Sequence, residues 1–219
     1  KPGEMRALRN IIQPTIAVLT NIGDAHQENF DSREAKCMEK LQLFHDAQVV
    51  VYNGDDVLVK HCISEQHDLH AEQLFWSCAD AAAPFFINKV EKSGSATLVT
   101  YRYAGETNSY RLPFIDEASI SNSFACALVA LKLGISPETL AQRMAQLEPI
   151  AMRLEVKEGQ HGCTLINDSY NSDINALDIA LDFMNRRPDH QGRRHTLILS
   201  DIFQSGLPPD ALYREVGTL

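Results

Sequence analysis

Pro14-Thr15-Ile16-Ala17-Val18-Leu19-Thr20-Asn21-Ile22-Gly23-Asp24-Ala25-His26 is the stretch that decides the fold. The run from Thr15 to Thr20 does not alternate apolar with polar. It has the continuous apolar character of a parallel strand covered on both faces. Pro14 stops a helix read over residues 4–13, and Asn21 to Asp24 reads as a turn. Downstream, Ala35, Met38, Leu41 and Phe44 recur at helical spacing across residues 31–45. Ala47 to Tyr52 is a second buried apolar run, closed by Asn53-Gly54. Strand, helix and strand in that order predict an α/β fold with a parallel sheet.

Working outward, residues 55–65 read as a helix. Residues 71–113 are rich in β-branched and aromatic side chains, with turns at Ser93-Gly94 and Ala104-Gly105, and predict short antiparallel strands at one sheet edge. Two helices follow over 116–133 and 137–147, the first ended by Gly134 and the second begun by Ser136-Pro137. Near Glu148-Pro149 the pattern restarts: strand 151–157, turn 159–162, strand 163–167, helix 174–186, strand 196–199, then the start of a helix. This places a domain boundary between 1–149 and 150–219. The second part, about 70 residues, is small for an independent core, so the chain reads as cut there and at its start as well.

Composition narrows the function classes. The chain has 219 residues, a net charge of −9, 44% hydrophobic and 22% charged residues. Its lysines and arginines are scattered, which argues against a nucleic-acid partner. No apolar run approaches the roughly 18 residues of a membrane span, and Lys1-Pro2-Gly3-Glu4 has no signal-peptide character, so a cytoplasmic protein is expected. The five cysteines, at 37, 62, 78, 126 and 163, are odd in number and contain no CxxC pair, which predicts reduced, buried structural thiols.

Candidate chemistry begins at His26, just beyond the first strand, where open parallel sheets collect ligands. A single loop histidine is also commonly a hydrogen-bonded surface residue. Lys40 lies beside the apolar stripe of the 31–45 helix, where a lysine either snorkels to solvent or is partly desolvated and becomes chemically useful. His61-Cys62, His67 and His70 follow no standard tetrahedral spacing. Asp55-Asp56 and Asp116-Glu117 read as helix-start residues, and Trp76 as core.

Taken together, Pro14 to His26, Phe30 and Glu39-Lys40-Leu-Gln-Leu-Phe44 resemble the central domain of the Mur ligases, in particular the members that add D-alanyl-D-alanine. The resemblance implies that His26 binds Mg²⁺ and that Lys40, 14 residues later, is carbamylated and serves the same metal. A carbamate supplies the hard oxygen donor Mg²⁺ prefers, where an ammonium would repel it. Lys1-Pro-Gly-Glu-Met5 resembles the segment just downstream of a further metal-binding glutamate, which Glu4 is not. Ser119-Ile-Ser-Asn122 resembles the helix whose asparagine faces the nucleotide, although an asparagine can also bond nearby backbone. Ala151-Met-Arg153 resembles the junction whose arginine reaches the ATP γ-phosphate, a task that suits a permanently charged fork. Asn167-Asp168-Ser-Tyr170-Asn171 resembles the segment in which the aspartate holds the ribose and the Tyr-Asn pair lies near the amino substrate. Ser172-Asp173-Ile174 departs from the family's usual Ala-Asn-Pro, and Ser200 stands where the family usually has glycine.

The implied fold is part of a mostly parallel, P-loop-type central domain, followed by the first part of a Rossmann-like domain. The implied activity is that of an ATP- and Mg²⁺-dependent amide ligase. It phosphorylates the carboxylate of UDP-N-acetylmuramoyl-tripeptide and gives the acyl phosphate to D-alanyl-D-alanine, for peptidoglycan precursor synthesis. Ile166 to Ser172 and Leu199-Ser-Asp-Ile202 are most similar to relatives fused to an alanine racemase. No G-x-x-x-x-G-K-[ST] occurs in these residues, so the 219 residues alone are expected to be inactive. A folylpolyglutamate-synthase-like ligase and a non-catalytic nucleotide-binding module are the alternative readings of these residues.

Overall fold

The opening stretch folds as its apolar pattern requires. α1 (Glu4–Ile12) ends ahead of Pro14, and β1 (Ile16–Leu19) pairs in parallel with β2 (Val49–Asn53), from Ile16↔Val49 to Leu19↔Tyr52. Between them lies α2 (Arg33–Leu41), started by Ser32, whose side chain accepts a hydrogen bond from the Ala35 N–H at 3.0 Å. The computed structural model describes residues 1–23, 27–148, 154–170, 172–187, 192, 194–202, 205 and 207–219. They form two units: Lys1–Ile22 with Phe30–Leu147, and Gly23–Asn29 with Glu148–Leu219.

In the first unit the sheet order is β1-β2-β3-β4-β5-β6, completed by β3 (Glu72–Ser77), β4 (Phe85–Ser93), β5 (Ala96–Tyr103) and β6 (Glu106–Leu112). Antiparallel pairing throughout 71–113 is corrected. β3 runs parallel to β2 from Val49↔Glu72 to Asn53↔Trp76, and β4 joins β3 in parallel over Trp76↔Phe85 and Ser77↔Phe86. The cause is α3 (Val57–Ser64), a helical crossover that carries the chain back to begin β3 in the same direction as β2. Within this sheet the antiparallel pairing is confined to β4, β5 and β6. The β5–β6 turn is a two-residue loop in which Ala104 and Gly105 both take positive φ, 50° and 84°, matching the twist of the flanking strands.

β2 explains why its sequence lacks alternation. Val49 and Val51 enter one core with α4 (Glu117–Lys132) and α5 (Pro137–Met144), while Val50 and Tyr52 enter the other with α2 and α3. Trp76, Phe85, Tyr101 and Leu128 anchor the first core, each burial contributing about 1.5–3 kcal/mol before entropy. Asp56 and Asp116 cap α3 and α4 through the N–H groups of Val59 (3.0 Å) and Ser119 (2.7 Å). Cys37 and Cys62 are buried as expected, but Cys78, Cys126 and Cys163 are exposed. Cys78 and Cys163 lie just outside strands and Cys126 lies on the outer side of α4, away from the inner stripes of α2 and α3.

In the second unit β7 (Glu155–Glu158) and β8 (Thr164–Asn167) form an antiparallel hairpin, followed by α6 (Ile174–Asn185) and α7 (Pro209–Val216). The expected strand at 196–199 is not formed: Ile198 is 90% exposed, and no described strand pairs with it. An apolar run becomes a strand only where a neighbour completes its hydrogen-bond ladder.

Candidate functional site

The carboxyl edge of the parallel strands is tied together by side chains. Arg33, in the first turn of α2, donates from Nη2 to the Ile22 carbonyl at 2.5 Å, fixing the helix beside the end of β1. Beyond β2, Asp55 accepts from the Ser77 hydroxyl and from the Cys78 N–H (2.6 Å). Ser77 Oγ in turn accepts from the N–H groups of Ala79 (3.0 Å) and Asp80 (2.7 Å). Ligands gather at such an edge in open α/β sheets, so its rigidity positions whatever binds there.

Lys40 stands half-buried in the last turn of α2. At about 100° per residue, Arg33, Lys36 and Lys40 lie within roughly 60° of one another on the helix circumference. Beside them sits Cys37, whose thiol burial pushes up, with contact to Cys62 adding to the shift and the Lys40 charge opposing it. The helix's carboxylates serve its neighbours: Glu39 Oε1 accepts from the Met5 N–H at 3.0 Å, and Glu34 lies 3.6 Å from His61 Nε2. On α4, Asn122 is exposed, and its amide makes no hydrogen bond with another described residue. Capping of that helix falls to Asp116, so bonding of Asn122 within its own helix is not observed.

In the second unit, Asp168 directly follows β8. Its Oδ1 accepts from the Leu154 N–H at 3.0 Å, and no described residue donates to Oδ2. One carboxylate oxygen thus fixes the backbone while the other can accept from an outside hydroxyl. Asn167 Oδ1 shapes the next turn by accepting from the Ser169 hydroxyl at 2.8 Å, and Tyr170 is 65% exposed. His26, Arg153 and Asn171 lie outside the described residues. The structure therefore places Lys40 and Asn122 in the first unit and Asp168 and Tyr170 in the second.

A cavity of about 480 Å³ in the second unit is lined by Leu165, Leu177, Leu181, Met184 and Leu197 among others; neither Asp168 nor Tyr170 lines it. Among the described residues no group of three or more His, Cys, Asp or Glu could hold a metal ion, and the His61, His67 and His70 segment forms no such cluster. Two residues escaped the sequence reading. Asp55 looks like a helix-start residue in the sequence because it precedes the true cap, Asp56. Lys36 carries no motif that singles it out; its place one turn before Lys40, next to the apolar stripe, is the signal the sequence offers.

Residues 1–130 match the family model described as the Mur ligase middle domain. The UDP-N-acetylmuramoyl-tripeptide--D-alanyl-D-alanine ligase of Bacillus subtilis (strain 168) is 26% identical over 220 residues, covering 99% of this chain and 46% of the relative. MurF from Acinetobacter baumannii shares the fold with a TM-score of 0.80 at 22% identity, over 98% of this chain and 45% of that one. MurF ligase from Thermotoga maritima, solved in complex with ADP, follows at a TM-score of 0.70 and 21% identity, over 86% and 43%. The chain spans about half the length of these relatives. Matched over residues 1–130 by the middle-domain model, the chain belongs to the Mur ligase family.

Proposed function

We propose that the protein carrying this chain is the ligase that joins D-alanyl-D-alanine to UDP-N-acetylmuramoyl-tripeptide at the expense of ATP. The observation that carries this reading is the Bacillus subtilis relative of that name, matched along 99% of the chain and so across both units. In this reading residues 1–149 belong to an ATP-binding central domain whose phosphate loop lies outside these residues, and 150–219 open a Rossmann-like domain.

The carbamate fits Mg²⁺ by its chemistry: a half-buried lysine on a helix fixed beside the end of β1 offers hard oxygen donors once carbamylated, and His26, which the resemblance implies for the same ion, adds a softer imidazole. Mg²⁺ would supply charge neutralisation for the phosphoryl groups. Lys40 and His26 would hold it. Arg153 would fork onto the γ-phosphate oxygens, Asn122 would face the nucleotide, and Asp168 Oδ2 would accept from the ribose. Tyr170 and Asn171 would orient D-alanyl-D-alanine so that its amine meets the acyl phosphate of the tripeptide. Such alignment, together with charge control, accounts for most of the catalysis such a transfer needs.

The test is phosphate release by the full-length protein, which should require ATP, Mg²⁺, the UDP-linked tripeptide and D-alanyl-D-alanine together. Turnover with a folate and glutamate in their place would overturn the reading in favour of a folylpolyglutamate synthase, and nucleotide binding without turnover would favour a non-catalytic module. Lys40→Ala should lower turnover by about 10²-fold or more, the scale of losing one preorganised electrostatic partner. The 219 residues alone should not turn over, since they contain no G-x-x-x-x-G-K-[ST] motif.

A further inference from the structure

Lys36 is only 5% exposed, which is unusual for a lysine, and it lies one helical turn before Lys40 on α2. Residues four apart on a helix are neighbours, with Cβ atoms about 5–6 Å apart. Arg33, on the same side of the helix, is fixed to the Ile22 carbonyl, so this face of α2 is held in place beside the end of β1.

We propose that Lys36 is a positioning residue that stabilises the carbamate of Lys40; the proposal rests on the reading of Lys40 given above. The modification is chemically balanced. The neutral amine of Lys40 adds to the carbon of CO₂, an N–C bond forms, one C=O π bond opens onto oxygen, and one proton leaves the nitrogen for solvent. A neutral amine thereby becomes an anion. A cation one turn away attracts that anion, whereas it repels an ammonium at the same position. Because Lys36 is buried, the attraction is screened less than it would be between two surface side chains. The ammonium can also donate to carboxylate-like oxygens, which would orient the carbamate and leave lone pairs for a metal. Glu39 and Glu34 on the same helix have their own contacts with Met5 and His61 and add negative charge without substituting for a cation.

The test measures the carbamate itself. The full-length protein is equilibrated with ¹³C-bicarbonate, and the carbamate resonance is followed by ¹³C NMR as CO₂ is varied. Lys40→Ala should abolish the signal. Lys36→Met, of similar volume and without charge, should raise the CO₂ needed for half-occupancy by about tenfold, the scale of one charge-assisted contact. Lys36→Arg should restore it most of the way. Occupancy in Lys36→Met equal to the parent, with the signal still lost in Lys40→Ala, would overturn the role of Lys36 and leave Lys40 as the modified residue. Equal losses in Lys36→Met and Lys36→Arg at unchanged melting temperature would also overturn it, since charge would not then be the cause. A signal that persists in Lys40→Ala, or none in the parent protein, would remove the carbamylation reading and this proposal with it. Should Lys36→Met fail to fold, Lys36→Gln keeps a polar head without charge and is judged by the same outcomes.

Discussion

Asp168 meets two demands with one carboxylate: its Oδ1 holds the Leu154 N–H, in a residue of positive φ (47°), and its Oδ2 faces no described donor. Replacing it by alanine removes an anionic acceptor, worth about 1.5–3 kcal/mol when charge-assisted, so nucleotide affinity should fall roughly 10–100-fold. Asp168→Asn keeps an acceptor for Leu154 but not the charge and should lie between. Calorimetric titration of the full-length protein with a non-hydrolysable ATP analogue measures both; equal affinity in the parent and the alanine variant would take Asp168 out of the ribose site. The Asn-Asp-Ser-Tyr-Asn run singles this residue out in the sequence as a candidate, because the motif is local. Lys36 was not readable in the same way. Its burial depends on how α2 packs, and a lysine beside an apolar stripe ordinarily extends its stem toward solvent.

Between elements, polar contacts inside the core make sharper predictions than the apolar ones. Tyr110 of β6 donates to Ser123 Oγ of α4 at 2.9 Å, and Ser123 itself donates to the Ile120 carbonyl at 2.6 Å. Burial pushes the Tyr110 phenol up, so it stays a neutral donor. Ser123→Ala would strand the phenol in the core and should cost about 1–3 kcal/mol. Tyr110→Phe leaves Ser123 still bonded to Ile120 and should cost less. Urea unfolding of the two variants measures the asymmetry, and a larger loss in Tyr110→Phe would reverse the assigned donor.

α1 is joined to the turn after α2 by a different kind of contact, the forked pair of Arg9 with Asp46, in which Arg9 Nη2 lies 2.8 Å from Oδ1. Arg9 foremost, with His45, holds the Asp46 carboxyl down at about 2, against 3.8 ordinarily. A depressed folded value means that the contribution is present above about pH 4 and is lost as pH falls toward 2. Melting temperature should therefore drop over that window by less in Asp46→Asn than in the parent. The pair is exposed, so added salt should shrink the difference.

At the scale of the whole molecule, periodicity revealed most elements because strands and helices leave their spacing in the chain. The direction of β3 was hidden, since β-branched and aromatic enrichment marks a strand without saying which neighbour it joins. The run at 196–199 misled for the same reason: an apolar composition cannot supply a partner. The distribution of buried side chains leads to the last prediction. Two contiguous cores fill the first unit, built on both faces of β2. In the second unit only Leu177, Ile202 and Leu212 are buried hydrophobic residues among those described. Local opening is cheapest where few apolar contacts must be broken, so the two units should not open together. Hydrogen exchange read by mass spectrometry should show β2, β3, β5 and α4 as the slowest segments, exchanging only on global unfolding of their unit. Peptides from 155–185 should exchange faster by roughly 10²-fold or more, equivalent to about 3 kcal/mol less protection. Uniform protection across residues 1–219 would mean that the second unit draws stability from contacts beyond its own three buried side chains. Saturating nucleotide should then slow exchange around Asp168 in the full-length protein while leaving β5 unchanged, because only the former carries a proposed ligand contact.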